Sequence, residues 1–137
     1  MPTVQPAVAT QAQPRTRARL RILVVEDDLA IRETLCELLQ EEGYAVAGAS
    51  NGAEALRLLS EEGEPSLIVL DLMMPVMDGW AFRSAQRRDP RLARIPVLVL
   101  SAGHADGDRS LAGLGVQGFL PKPFDLDTFV DTVHRLC

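Results

Sequence analysis

Short apolar runs alternate with longer segments of helical periodicity along most of this chain. The apolar runs predict strands over residues 20–25, 44–49, 66–70, 96–100 and 118–120. Between and after them, apolar residues recur at helical spacing or follow helix-starting residues, which predicts helices over 29–42, 51–62, 79–88, 108–114 and 126–136. Five strand–helix units in tandem predict an α/β domain: a parallel sheet with right-handed crossovers and helices on both faces.

Local signals at the predicted helix ends support this pattern. Asp28 and Asp125 can cap the first and last helices, and Asn51 with Glu54 three residues later resembles a capping box. Gly43 is suited to end the first helix. The weakest segment is 102–117, which holds four glycines and predicts only a short, pliable fourth helix.

Composition limits the classes of protein to consider. The 137 residues suffice for one domain, which we place at 20–137, and no apolar run is long enough to span a bilayer. Residues 1–19 are rich in Pro, Gln, Ala and Thr without a period, so we expect a disordered, solvated tail. Two cysteines provide no disulfide framework, and a cytoplasmic location is expected.

Charge argues against direct binding to nucleic acid. Four of the fourteen basic residues lie in the first 21 positions, which contain no acid, and the remainder carries ten basic residues against nineteen acidic ones. Such an acidic body repels a polyanion. Neither a nucleic-acid partner nor a membrane partner is expected.

Polar side chains follow four of the predicted strands. They are Glu26, Asp27 and Asp28 after the first strand, Asp71 after the third, Ser101 after the fourth and Lys122 after the fifth. Parallel sheets place their ligand sites at the carboxyl edge, so these groups should meet there. Lys122 is the one lysine beside thirteen arginines, which suggests that a compact ammonium is needed at this point.

Three converging carboxylates would repel one another and raise their pKa values unless a divalent cation balances them. We expect Mg²⁺, ligated directly by Asp27, Asp71 and the backbone carbonyl of Met73, with Glu26 acting through water. Asp71 can then act as a nucleophile toward phosphorus. Ser101 can donate a hydrogen bond to a phosphoryl oxygen, and Lys122 can neutralise its charge.

The lysine lies between two prolines, which restrict the local chain. One of the two X-Pro bonds could be cis, and this would aim the Lys122 side chain in a defined direction.

Four motifs surround these polar residues: Val24-Val25-Glu26-Asp27-Asp28, Leu70-Asp71-Leu72-Met73-Met74-Pro75 with Asp78-Gly79, Leu100-Ser101-Ala102 and Pro121-Lys122-Pro123-Phe124. In order and spacing, they resemble the receiver domain of two-component response regulators. The resemblance implies a flavodoxin-like, doubly wound five-stranded sheet of order 2-1-3-4-5. It also implies that Asp71 accepts a phosphoryl group from the phosphohistidine of a histidine kinase or phosphotransfer protein, and that Mg²⁺ is required.

The resemblance further implies a switch. Ser101 and the aromatic residue three positions before the lysine, here Phe119 in place of the frequent tyrosine, are expected to move together on phosphorylation. Met73 and Gly103 flank the phosphoryl site and cannot orient an attacking water through a side-chain hydrogen bond, so self-dephosphorylation should be slow. Apart from this, no enzymatic turnover is expected.

Three other functions remain as alternatives. A phosphohydrolase with an aspartyl-phosphate nucleophile usually has a second aspartate two residues later, where this chain has Met73. A flavin or nucleotide site of the same fold would need a glycine- or hydroxyl-rich loop after the first strand, in place of Glu26-Asp27-Asp28. A docking module that works without phosphorylation would not need the full set of site residues.

The pattern ends at Cys137 without a recognition motif, so output through a separate partner protein is expected. The expected surface is the face made by the fourth predicted helix, the fifth strand and the last helix. A motor-binding regulator, a phosphorelay shuttle and a regulator of a separate enzyme are equally open, and homodimerisation through the same face is another alternative.

Overall fold

A computed structural model describes residues 21–101 and 114–137. The strands are β1 (Arg21–Val25), β2 (Ala45–Ala49), β3 (Leu67–Asp71), β4 (Val97–Ser101) and β5 (Gly118–Pro121). The helices within these residues are α1 (Leu29–Glu41), α2 (Gly52–Glu62), α3 (Gly79–Arg88) and α4 (Leu126–Leu136). The predicted tail over 1–19 lies outside the described residues, and so does the predicted fourth helix over 108–114 except for its last residue.

The five strands form one parallel sheet in the order β2-β1-β3-β4-β5. This confirms the predicted fold class and strand order. Each predicted element within the described residues is present, with ends that differ from the prediction by one residue at most. None of the described helices is both long and apolar enough to cross a membrane.

Alternate side chains of the central strands pack into two cores, one on each face of the sheet. In β3, Ile68 and Leu70 pack toward α2 and α3, whereas Leu67 and Val69 pack toward α1 and α4. Every residue of β3 and β4 is buried. Continuous apolar runs therefore arise because both faces of these strands are covered.

The predicted helix caps are present. Asp28, Asn51 and Asp125 each accept hydrogen bonds from backbone N–H groups in the first turn of their helices. The capping box differs in one respect, because the Glu54 carboxylate accepts from Ser50 rather than from the backbone N–H of Asn51. Asp78 caps α3 in the same way, which the sequence analysis did not predict.

The loop from β3 to α3 folds back tightly on the end of β3. The backbone N–H of Gly79 donates to the carbonyl of Leu72 at 3.0 Å. A Cβ at position 79 would lie 2.6 Å from Leu72 Cα and 2.7 Å from the carbonyl oxygen of Asp71. Backbone atoms cannot yield as a side chain can, so the absence of a side chain at Gly79 sets how the chain leaves Asp71.

We predict that Gly79→Ala lowers the free energy of unfolding by about 2 kcal/mol or more, because the added methyl must push two backbone segments apart. The matched control is Gly48→Ala, whose Cβ would first meet the flexible side chain of Arg32 at 3.2 Å. The control should stay within about 1 kcal/mol of wild type. Urea denaturation measures both, and equal midpoints for the two variants would contradict the close approach at Gly79.

Candidate functional site

The carboxyl ends of β1, β3, β4 and β5 meet at one edge of the sheet. Val25 is in register with Leu70, Asp71 with Leu100, and Ser101 with Pro121. The next residues along β1 and β5 are Glu26 and Lys122. The topology therefore brings together groups that lie up to 96 residues apart in the sequence.

Three carboxylates converge at this edge. Glu26, Asp27 and Asp71 each offer an oxygen, and these oxygens lie within 4.8 Å of one another. Glu26 and Asp71 are 1% and 2% exposed, whereas Asp27 is exposed to solvent. Carboxylate oxygens at this spacing suit a hard divalent cation, and the open side at Asp27 leaves room for water, which Mg²⁺ commonly retains. The donor set fits Mg²⁺.

Lys122 reaches into the same cluster. Its Nζ lies 3.1 Å from Glu26 Oε1 and 3.6 Å from Asp71 Oδ1. The backbone N–H of Lys122 donates to the carbonyl of Ser101 at 2.8 Å. Burial lowers the pKa of Lys122, but the hydrogen bond to Glu26 and the charges of Asp71 and Glu26 outweigh burial and raise the pKa overall. The ammonium is therefore a permanent positive charge of the site.

The peptide bond between Lys122 and Pro123 is cis. The sequence alone left open which of the two X-Pro bonds around the lysine is cis, and the structure places it after Lys122.

Asp71 has a pKa raised to about 7. Burial is the largest cause and the charge of Glu26 is the second, while Lys122 and a hydrogen bond from the Met73 backbone N–H act in the opposite direction. The predicted repulsion among carboxylates thus contributes through Glu26, and loss of hydration at the end of a fully buried strand contributes more to the raised pKa. A nearby cation would favour the ionised carboxylate.

Glu26 is held from three sides. Besides Lys122, the backbone N–H of Asp28 donates to Glu26 Oε2 at 3.2 Å, and Arg32 donates to the Glu26 carbonyl at 2.8 Å. The direct Glu26–Lys122 ion pair was not predicted, and neither was Arg32. Arg32 lies one turn into α1, a position from which a long side chain can reach back to the end of β1. Its place six residues after Glu26 is the feature of the sequence that could have predicted this contact.

The remaining predicted site residues differ in burial and in their contacts with the cluster. Ser101 is buried at the end of β4, directly beside the strand that carries Asp71. The Met73 backbone N–H donates to Asp71 Oδ1 at 3.2 Å, and the Met73 side chain is exposed. Phe119 lies two residues before the end of β5, is 38% exposed and belongs to neither core. Gly103 lies outside the described residues.

Comparison with known families identifies the family to which this fold belongs. The model of the response regulator receiver domain matches residues 22–134. The chain belongs to this family. Receiver domains are signalling switches of two-component systems, response regulators receive phosphoryl groups from histidine kinases, and Mg²⁺ binding at an acidic pocket is typical of the family.

Curated relatives and solved structures agree with this assignment. The receiver domain is 40% identical over 119 residues to the response regulator MprA of Mycolicibacterium vanbaalenii, covering 85% of this chain and 50% of MprA. The chain thus spans about half the length of the curated relatives it matches.

Two solved structures show the same architecture. The chemotaxis protein CheY4 of Vibrio cholerae superposes with a TM-score of 0.80 at 31% identity, covering 88% of this chain and all of CheY4. The response regulator TrrA of Thermotoga maritima, in complex with Mg²⁺ and BeF, gives 0.74 at 33% identity over 85% of this chain and 98% of TrrA.

The raised pKa of Asp71 predicts a pH-dependent stability in metal-free buffer. The native carboxyl keeps its proton up to a pH of about 7, whereas the unfolded chain loses it near 3.8, so stability falls as pH rises between these values. Asp71→Asn removes this dependence, and its advantage over wild type should grow by about 2–4 kcal/mol from pH 4 to pH 8.

Urea denaturation of both proteins with a chelator present measures this difference. Asp131→Asn, the same change on an exposed face of α4, is the control and should track wild type at every pH. A constant gap between wild type and Asp71→Asn would show that Asp71 ionises normally.

Proposed function

We propose that this receiver domain is a phosphorylation-dependent switch in which Asp71 accepts a phosphoryl group from phosphohistidine. The observation that carries the proposal is the position of Asp71, buried at the carboxyl edge of the sheet between two further carboxylates and the Lys122 ammonium. Phosphoryl transfer depends mainly on positioning and on charge neutralisation, and this arrangement supplies both.

In the proposed reaction, a carboxylate oxygen of Asp71 attacks phosphorus. The P–N bond of the donor breaks, its electron pair remains on the imidazole nitrogen, and Asp71 becomes an acyl phosphate. When bound, Mg²⁺ supplies positive charge to the transferring group and to the surrounding carboxylates. Asp27, Asp71, the Met73 carbonyl and Glu26 are the proposed groups that hold the ion. The TrrA complex with Mg²⁺ and BeF supports the choice of Mg²⁺.

Lys122 is proposed to balance the charge of the product. Its Nζ already lies 3.6 Å from Asp71 Oδ1, so it can approach a phosphoryl oxygen on Asp71 with a small movement. The movement weakens the 3.1 Å contact with Glu26, which then relies on the Asp28 N–H and the bound cation. Charge added at Asp71 is thereby transmitted to the end of β5.

Ser101 and Phe119 are the proposed readout. Ser101 lies on the strand beside Asp71, and its carbonyl accepts the hydrogen bond from the backbone N–H of Lys122. Phe119 in β5 is in register with Val99 in β4. Its side chain is partly exposed, so it can rotate from this outward position to a more buried one. A partner that prefers one position of Phe119 would shift the equilibrium between the two.

Docking of the phosphodonor is proposed at an apolar groove beside the site. The groove has a volume of about 560 Å³ and runs between α1 and the segment after β5. Its lining residues are Ala30, Ile31, Thr34, Leu35, Lys122, Pro123, Phe124 and Leu126. Because Lys122 belongs to both the groove and the acidic cluster, a helix seated in the groove would hold its phosphohistidine next to Asp71.

Incubation with a radiolabelled small phosphodonor tests the acceptor. Wild type should incorporate label in Mg²⁺ and lose incorporation with a chelator, and Asp71→Asn should incorporate none, because its amide cannot form an acyl phosphate. Asp131→Asn is the isosteric control on the exposed face of α4 and should label like wild type. Label that persists in Asp71→Asn would remove Asp71 from its proposed role.

Lys122→Arg tests the need for a compact cation. The planar guanidinium is larger than the ammonium and cannot reproduce its contacts with both Glu26 and Asp71, so phosphorylation should still occur but perturb β4 and β5 less. Hydrogen exchange of peptides covering 97–101 and 118–121, before and after phosphorylation, measures this. The reverse exchange at an exposed position, Arg135→Lys, should respond like wild type, and an equal response from Lys122→Arg would show that any cation suffices.

A further inference from the structure

Positive charge is concentrated on α3 and the turn that follows it. Residues 79–95 contain five arginines and one acid, Asp89, in a chain of net charge −5. The arginines are Arg83, Arg87, Arg88, Arg91 and Arg94. The proposed phosphotransfer uses none of them.

Three of these arginines line one cleft. The cleft has a volume of about 310 Å³ and is formed by Trp80, Arg83, Ser84, Arg87, Arg88 and Leu114. The α3 residues recur at spacings of three, four, seven and eight, so they lie on one face of the helix. The concave shape and small size of the cleft suit a small molecule.

Arg83 lines this cleft and is 5% exposed. It donates to the carbonyls of Leu114 and Gly115 at 2.9 and 3.0 Å and to the Gln86 side chain at 2.7 Å. Burial and the neighbouring charge of Arg87 lower the pKa of Arg83. Dipoles of carbonyl and amide groups hold this guanidinium, and no carboxylate of the described residues pairs with it.

Arg88 adds a second charge without an acidic partner in the described part of the chain. Its NH1 donates to Ser84 Oγ at 3.3 Å, and no described carboxylate lies within 4.0 Å of its guanidinium. Arg91 forms an ion pair with Asp89 at 3.7 Å, outside the cleft. Clustered cations against a low-dielectric wall attract anions strongly.

We propose that this cleft binds a small phosphate-bearing anion with a planar ring, of about the size of a nucleoside monophosphate. Guanidinium groups hold phosphate through paired N–H donors, and the Ser84 hydroxyl can add another. The half-buried indole of Trp80 offers a flat face on which a ring can stack. The cleft is separate from the acidic cluster at Asp71, whose three carboxylates would repel the same ligand.

The chain contains one tryptophan, so Trp80 fluorescence reports directly on this cleft. We suggest titrating the whole protein with AMP, inorganic phosphate, adenosine and a short single-stranded RNA, at low salt and with a chelator present to keep the acidic cluster metal-free. Calorimetry gives the affinities independently. The proposal expects saturable binding of AMP, weaker binding of phosphate alone and weaker still of adenosine.

Matched arginine variants test the location. Arg87→Gln with Arg88→Gln should weaken AMP binding by about tenfold or more. Arg91→Gln with Arg94→Gln removes the same charge from outside the cleft and should change the affinity by about twofold at most. Equal losses in the two double variants, or no saturable AMP binding into the millimolar range, would overturn the proposal.

The ligand comparison distinguishes the sources of phosphate. Phosphate that binds as tightly as AMP would contradict the role of the ring, and RNA that binds far more tightly than AMP would indicate an extended polyanion instead. Asp71→Asn should bind AMP like wild type, and the Arg87, Arg88 double variant should still be phosphorylated on Asp71. A failure of the anion site and a failure of the phosphoacceptor are therefore seen in separate measurements.

Discussion

The rest of the site depends on keeping two carboxylates out of water beside a single ammonium. Glu26 and Asp71 are almost fully buried, and Lys122 lies close to both. Removing an ionised carboxylate from water is costly unless charge and hydrogen bonds compensate it. The one lysine compensates only part of this cost at Asp71, whose pKa remains raised to about 7. The carboxylates at this site therefore remain short of positive charge, and under the proposed function a divalent cation would supply it.

The sheet offsets the free-energy cost of burying these carboxylates, because apolar side chains are packed on both of its faces beneath the site. Alternate side chains of β3 enter different cores, and every residue of β3 and β4 is buried. Asp71 continues this packed strand directly, so it cannot relax toward solvent without disturbing both layers. The close backbone approach at Gly79 fixes the exit from the strand in the same way. The packing that stabilises the core is therefore also what keeps the Asp71 carboxyl group buried.

Much of the fold and of the site could be predicted from the sequence, because the hydrophobic periodicity and the positions of polar residues at strand ends indicate both. Continuous apolar runs that end on polar residues predicted the sheet, its carboxyl edge and the convergence of Asp27, Asp71 and Lys122. Pairwise geometry was not predictable: the sequence does not show that Lys122 would contact Glu26 more closely than Asp71, or that Arg32 would bind the Glu26 carbonyl. The same holds for Phe119, since a short apolar run does not reveal which of its side chains faces outward.

The first turn of α1 is joined to the acidic cluster by two hydrogen bonds, from the Asp28 backbone N–H and from the Arg32 side chain, both to Glu26. The same helix supplies one wall of the apolar groove. A protein docked in the groove, as proposed above, would press on the helix whose first turn holds Glu26, and Glu26 shares the Lys122 ammonium with Asp71. Under the proposed function, recognition of the donor and reactivity of Asp71 would therefore be coupled through α1.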